Sequence, residues 1–272
     1  IRAAIVGCGA LGTGIAELLA RLGVGYLKLI DADYVELSNL NRTHLFEEND
    51  LYKPKAISCA EKIKKINSEV KVEPIIDVVT SDNVIKLLED VDYVFDATDN
   101  ILTRLIINDA CVKLRKPFIY GGVSGLYGSV KLVLPYKTSC LACFMSYSDN
   151  DVNACEVIGV VDTITSLVST LEVQEMLNHL NGSEDGSLIY VDLKEMRFEK
   201  IDIEKNPNCE ACGREDFVYL KGTYKNECMH MVVSEPLNEH PVISNEWLKI
   251  YKTSSGVIVC YNNGKCFKRV VR

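Results

Sequence analysis

The sequence predicts an α/β protein: a doubly wound, mostly parallel sheet followed by a small C-terminal mixed α/β domain. Three observations carry this. Short apolar runs alternate with longer stretches of helical periodicity from the first residue to about residue 134, the pattern of βα units whose strands lie parallel. A glycine-rich turn, Gly7-Cys8-Gly9-Ala10-Leu11-Gly12, joins the first apolar run to the first helical stretch. From about residue 216 helical patterns thin out, Tyr and Val accumulate, and Asn263–Gly264 separates GVIVCY from KCFKRVV as a hairpin turn would. Residues 1–215 therefore read as one domain and 216–272 as a second.

The elements follow in order. Ile1–Gly7 is a buried strand, and the helix after it ends near Gly23 or Gly25, because glycine takes the left-handed turn past a helix C-terminus without strain. Tyr26–Asp31 is the second strand. Residues 53–67 form a helix opening near Pro54, whose missing N–H is harmless in a first helical turn. Val70–Ile76 alternates as a third strand, 82–89 is a helix, Asp92–Asp96 a fourth strand, 102–115 a helix and Pro117–Tyr120 a fifth strand. Residues 126–134 make a sixth strand, and Pro135 to about Asn153 is a polar loop carrying cysteines. Gly159–Leu180 has helical periodicity, and Ile189–Leu193 with Met196–Ile203 reads as a hairpin.

Composition sets limits. With 272 residues, 47% of them hydrophobic, the chain can bury a sizeable core. The formal net charge of −8 argues against nucleic acid as a main partner. No apolar run approaches the roughly 20 residues of a membrane span. The apolar start lacks the basic region and cleavage site of a signal peptide, and because it begins without Met directly on a strand, a preceding segment is expected. Eleven cysteines, four of them in two C-x-x-C pairs, favour metal over disulfides and a cytoplasmic protein.

The glycine turn sits where backbone can approach a phosphate and helix N–H groups can meet it. Asp31 closes the next strand, 19 residues after Gly12, where an acid accepts from ribose hydroxyls. Gly7, Gly9, Ala10, Gly12 and Asp31 are candidate nucleotide-binding residues of a Rossmann-type site. They do not separate NAD, FAD and ATP, and tight strand–helix packing without a ligand is the plainer alternative. Ser38-Asn39-Leu40-Asn41-Arg42 and Lys55 place two cations behind the ribose site. A triphosphate needs such cations, to neutralise its charge and stabilise a pyrophosphate leaving group; a nicotinamide-dependent oxidoreductase does not. Taken alone, they also fit a solvated charged surface. Ala97-Thr98-Asp99-Asn100 follows the fourth strand, with Arg104 one turn on, and ligands of such sheets sit beyond the carboxyl ends of the strands. Asp99 can hold Mg2+ against phosphates, and Thr98, Asp99 or Asn100 can cap the next helix.

Cys140-x-x-Cys143 and Cys209-x-x-Cys212 together suit a tetrahedral four-thiolate Zn2+ site. A redox dithiol and unrelated buried thiols are the alternatives. With 65 residues between the pairs, the site would clip a loop to the far end of the domain. Cys155 lies just ahead of the helix near Gly159, where a helix N-terminus can make a thiol nucleophilic; a small buried apolar residue is the plainer reading. Cys8, Cys59, Cys111, Cys228, Cys260 and Cys266 read as buried thiols, and His44, His179, His230 and His240 show no metal or triad spacing.

Taken together, GCGALG, LIDADYVELSNLNR, KPK, ATDN with Arg104, YGGVSGLYGSV, the two C-x-x-C pairs and NACEVIGVVDTITSLV resemble the ThiF/MoeB/HesA family, relatives of the ubiquitin-activating enzymes, across about 1–215. The resemblance implies that the C-terminal glycine carboxylate of a ThiS-, MoaD- or ubiquitin-like protein attacks the α-phosphate of ATP, releasing pyrophosphate and leaving an acyl-adenylate. At the matching positions Gly9 and Ala10 line the nucleotide site and Asp31 takes the ribose. Asn39, Arg42 and Lys55, with Ser38 and Asn41 beside them, meet the phosphates, and Asp99 holds Mg2+ with Asn100 nearby. Cys155 matches a conditional cysteine that forms a persulfide or thioester in some members and is dispensable in others, and the four paired cysteines match a structural zinc site. Members are typically homodimers, so the implied partners are a second copy and a carrier ending in Gly-Gly. Two departures stand out: Ala10 where Gly is frequent, and a start beyond the N-terminal segment whose Arg reaches the partner subunit's ATP. Adenylation of a peptide or tRNA by the same fold is the nearest alternative, the acidic balance disfavouring tRNA; a non-enzymatic scaffold is another.

Overall fold

The structure, a computed structural model, describes residues 1–147, 159–224, 231–236, 239–254 and 256–269. After Arg2, strand β1 (Arg2–Val6) is apolar because both its faces are covered: Ala3 and Ile5 enter one core, Ala4 and Val6 the other. Helix α1 (Ala10–Arg21) follows, then β2 (Tyr26–Ile30), α2 (Lys55–Ile66), β3 (Lys71–Ile75), α3 (Val84–Leu88), β4 (Tyr93–Asp96), α4 (Ile101–Leu114) and β5 (Phe118–Ser124). Strands β6 (Tyr127–Val133), β7 (Leu188–Asp192) and β8 (Arg197–Ile201) continue the sheet antiparallel, with α5 (Asp162–Leu180) between β6 and β7.

The sheet order is β3-β2-β1-β4-β5-β6-β7-β8. Residues of α1, α2 and α5 build the core on one face, and those of α3 and α4 the core on the other. The chain winds outward in opposite directions from the β1/β4 pair, so a crevice opens at the carboxyl ends of these two strands, where open α/β sheets take their ligands. β5 runs past the expected Tyr120 through two glycines, because Gly121 and Gly122 pair with Val130 and Ser129 of β6. Gly121 is required there by contact: a Cβ on it would lie 1.9 Å from Glu172 Oε1 of α5.

The C-terminal part, expected to mix helix and strand, is among the described residues an antiparallel sheet, β10-β11-β12-β13-β9. Its strands are β9 (Met231–Val233), β10 (Ile243–Ser244), β11 (Leu248–Thr253), β12 (Gly256–Tyr261) and β13 (Cys266–Arg269). The hairpin at Asn263–Gly264 forms as expected, with Gly264 at φ +85. Cys260 and Cys266, read above as buried thiols, are directly opposed across β12 and β13 and joined as a disulfide. Ahead of this sheet a 3-10 turn, Val218–Lys221, packs with the first unit. The Tyr219 amide donates to Asp109 Oδ2 at 3.0 Å, and the Tyr147 amide donates to the Tyr219 hydroxyl at 3.2 Å.

Candidate nucleotide site and cysteine cluster

The glycine turn is held by contacts that leave its outer side open. Gly7 has φ +98, and a Cβ there would lie 2.5 Å from the Ala97 carbonyl oxygen, so the glycine brings the end of β4 against the end of β1. A Cβ on Gly12 would lie 1.9 Å from the Gly7 carbonyl oxygen. Around the Cβ position of Gly9, by contrast, there is no atom within 4 Å. Gly9 is the N-cap of α1 and offers no side-chain cap, and the first turn carries no acidic residue. Uncapped amides beside such open space suit an anion. Ala10 begins the helix itself.

Asp31 lies immediately behind. Its Oδ2 accepts from the Cys8 amide and its Oδ1 from the Asp33 amide, both at 2.6 Å. Burial pushes its carboxyl above the ordinary range, with Lys55 pulling the other way. Lys55, the first residue of α2, is almost fully buried and donates to Asp33 Oδ2 at 3.0 Å. Burial works against its charge, but Asp33 and Asp31 outweigh that and hold its pKa above that of an ordinary lysine. Asp31, Asp33 and Lys55 thus form one charged cluster beneath the glycine turn.

The segment 36–44 follows this cluster in the chain and returns to α1, where the His44 amide donates to the Thr13 hydroxyl at 3.1 Å. Asn39 is buried and its Oδ1 accepts from the Glu36 amide, fixing the loop. Ser38 and Asn41 are exposed, and Arg42 donates through Nη1 to the Ser38 carbonyl and to Asn41 Oδ1. Arg42 is therefore occupied within its own loop, whereas Lys55 is already inside the cluster. Across the crevice, Asn100 rather than Asp99 caps α4, its Oδ1 accepting from the Thr103 amide at 2.9 Å. Asp99 is exposed at the mouth. Cys155 lies outside the described residues.

Several charged residues to which the sequence assigned no role complete this region. Asp96 is fully buried at the end of β4 and accepts from Arg104 Nε at 2.6 Å. Arg104 also donates to the Gly121 carbonyl at 3.2 Å. Glu172 of α5, also fully buried, faces this pair. Asp33 was visible as the second acid of the Asp31-Ala32-Asp33 run, but its ion pair with Lys55 was not.

The four cysteines converge. Their sulfurs all lie within 4.8 Å of one another, with Cys140 and Cys209 3.6 Å apart and Cys143 and Cys212 3.5 Å apart. A tetrahedron with Zn–S bonds of about 2.3 Å has sulfur edges of about 3.8 Å, so the cluster has the size and donor set of a zinc centre. Asn108 supports it from α4: its Nδ2 lies 3.7 Å from Cys140 Sγ, and its Oδ1 accepts from the Leu141 amide at 2.9 Å.

A sequence profile of the ThiF family matches residues 1–211, and so spans the glycine turn, the charged cluster and three of the four cysteines. The chain belongs to the ThiF family. It is 40% identical over 234 residues to the sulfur carrier protein ThiS adenylyltransferase of Bacillus subtilis, covering 83% of this chain and 68% of that protein. It is 32% identical to the SAMP-activating enzyme E1 of Haloferax volcanii, covering 78% and 80%. Against the adenylyltransferase and sulfurtransferase MOCS3 of Xenopus laevis it is 31% identical over 230 residues, 82% of this chain, but spans only about half (51%) of that longer protein. Among solved structures, E. coli MccB with ATP superposes with a TM-score of 0.70 over 78% of this chain and 67% of that one, at 24% identity, a likeness of fold. Family membership removes the nicotinamide-dependent oxidoreductase alternative.

Proposed function

We propose that this chain is an ATP-dependent adenylyltransferase that activates the C-terminal glycine carboxylate of a ubiquitin-like sulfur-carrier or modifier protein. The observation that carries the reading is the pairing of an open, uncapped helix start at Gly9 with the partly buried Asp31–Asp33–Lys55 cluster, in a chain 40% identical to a sulfur carrier adenylyltransferase. In this reading the amides at Gly9 and Ala10 meet the phosphates and Asp31 meets the ribose. Lys55 and Arg42, with Ser38, Asn39 and Asn41 shaping the loop, neutralise the triphosphate. The carboxylate is already a competent nucleophile, so the residues act by orienting it and offsetting charge on departing pyrophosphate, and no general base is needed.

Asp99 suits Mg2+, because it is exposed beside the crevice and Asn100 has relieved it of capping the helix. A bound Mg2+ would offset phosphate charge. Cys140, Cys143, Cys209 and Cys212 would hold a structural Zn2+ that ties the loop after β6 to the segment ahead of Tyr219. Cys155 is proposed for a later sulfur-transfer or thioester step, separate from adenylation. A homodimer and a cytoplasmic setting belong to the same reading; among the described residues no helix is long and apolar enough to cross a membrane.

The test is exchange of labelled pyrophosphate into ATP. Exchange is expected only when a Gly-Gly-tailed carrier is added, and Asp99→Ala should lower it by roughly 100-fold or more. Exchange without a carrier, or unaffected by Asp99→Ala, rejects the assignment.

A further inference from the structure

The proposed nucleotide site has a neighbour beyond the family-matched residues. The C-terminal sheet starts after residue 211, where the ThiF match ends, yet it rests on the Asp31–Glu36 segment in three ways. Leu248, Ile250, Val259 and Phe267 share a core with Ala32 and Tyr34. The Tyr261 hydroxyl donates at 2.7 Å to the carbonyl of Ala32, the residue between the two acids. Arg269, at the end of β13, donates from Nη1 to Glu36 Oε2 at 2.9 Å with only 36% of its side chain exposed. That bond ties the guanidinium to the Asp31–Glu36 segment, three residues on from Asp33, where Asp33 and Glu36 help to hold its pKa above that of an ordinary arginine and its own charge works to lower that of Lys55. Two acids from the loop, one lysine from α2 and one arginine from the second sheet thus make a single patch of mixed charge.

We infer that Arg269 is a positioning residue of the nucleotide site: it shares the charge of Asp33, so that Lys55 can turn its ammonium toward the phosphates of ATP. The inference rests on the nucleotide reading proposed above. In the structure the Lys55 charge is satisfied by Asp33 at 3.0 Å. To meet a phosphate, Lys55 must loosen that pair, and a partly buried carboxylate left without a cation opposes the move. A second cation held beside Asp33 by another sheet removes that opposition. Loss of Arg269 therefore acts twice in the same direction, tightening Lys55 on Asp33 and withdrawing positive potential from the site. Loss of the Glu36 charge acts the other way, because Glu36 competes with Asp33 for the guanidinium.

The test is calorimetric binding of ATP and of AMP to the full chain at low and moderate salt. The variants are Arg269→Gln, Arg269→Lys, Glu36→Gln and, as a control, Lys249→Gln, an exposed lysine of the same sheet paired with Glu235. Arg269→Gln should weaken ATP binding about three- to tenfold, the effect of losing one partly exposed charge, and AMP binding far less. Arg269→Lys should restore most of the loss, Glu36→Gln should leave ATP binding equal or tighter, and Lys249→Gln should leave it unchanged. Two outcomes overturn the inference alone: wild-type ATP affinity in Arg269→Gln, or equal weakening of ATP and AMP that Glu36→Gln reproduces, which marks a simple brace between the sheets. A wild-type chain that binds no ATP overturns the nucleotide reading beneath it as well.

Discussion

Glu172 lies in α5 against Gly121, with no exposed surface and, among the described residues, no hydrogen-bond partner for either carboxylate oxygen. Burial pushes its carboxyl well above the ordinary 4.5, Asp96 adds to the shift and Arg104 opposes it. The folded chain therefore keeps a proton that the unfolded chain releases. The residue's contribution to stability is intact below about pH 4.5 and is lost as the pH rises toward the folded-state pKa. Glu172→Gln, which keeps the shape without the charge, should raise the melting temperature relative to wild type more at pH 8 than at pH 4.5. Equal shifts at the two pH values would show that ionisation is not the cost. A glutamate in the middle of a periodic helix reads as a solvated position, and only the missing side chain of Gly121, on another element, makes room to bury it.

At the scale of elements, the start of α4 divides two duties between neighbours. Asn100 caps the helix and Asp99 is left at the mouth of the crevice, a division that residue types alone left open among Thr98, Asp99 and Asn100. Asn100→Ala should cost about 1 kcal/mol, the usual value of an N-cap, read as a lower denaturant midpoint. Asp99→Ala, at an exposed position off the cap, should leave that midpoint nearly unchanged while abolishing exchange. The cysteine knuckles join two further elements, the 3-10 turn Leu141–Cys143 and the segment around Cys209–Cys212. Elemental analysis should find about one zinc per chain on a four-thiolate site, and Cys209→Ser or a strong chelator should lower the melting temperature by roughly 10 °C. A metal-free protein with wild-type melting would remove zinc from the account. The C-x-x-C spacing made this cluster legible because each pair is local, whereas its support by Asn108 Nδ2 and Oδ1 had no signal along the chain.

For the whole molecule, the division near residue 216 meets a seam of contacts. Tyr219 belongs to the core that also holds Cys140, Cys209 and Cys212, and its hydrogen bonds run to Asp109 and Tyr147. We propose that the first unit extends through this turn. Tyr219→Ala should then destabilise the first unit by about 3–5 kcal/mol, as deletion of a buried aromatic does, read as increased hydrogen exchange in α4. Protection in α4 that stays at wild-type level would return the boundary to 216. Farther on, the C-terminal sheet covers Ala32, Tyr34 and Val78, so the loop carrying Asp31 and Asp33 packs against that second sheet.

Legible along the chain were the features with a local signature: the alternation of strand and helix, the Gly7–Gly12 turn between them, the Asn263–Gly264 hairpin and the two cysteine pairs. Each depends on residues close in sequence, where periodicity, backbone freedom or ligand spacing acts directly. Folding alone decided which charges meet. Lys55 turns to Asp33, Arg104 to Asp96, Arg269 to Glu36, and Arg42 stays within its own loop. Cys260 faced Cys266 only once the strand register was set. Except within the Arg42 loop, these partners lie on different elements. An ion pair across elements is chosen by distance and burial in the finished packing, which no window of sequence contains.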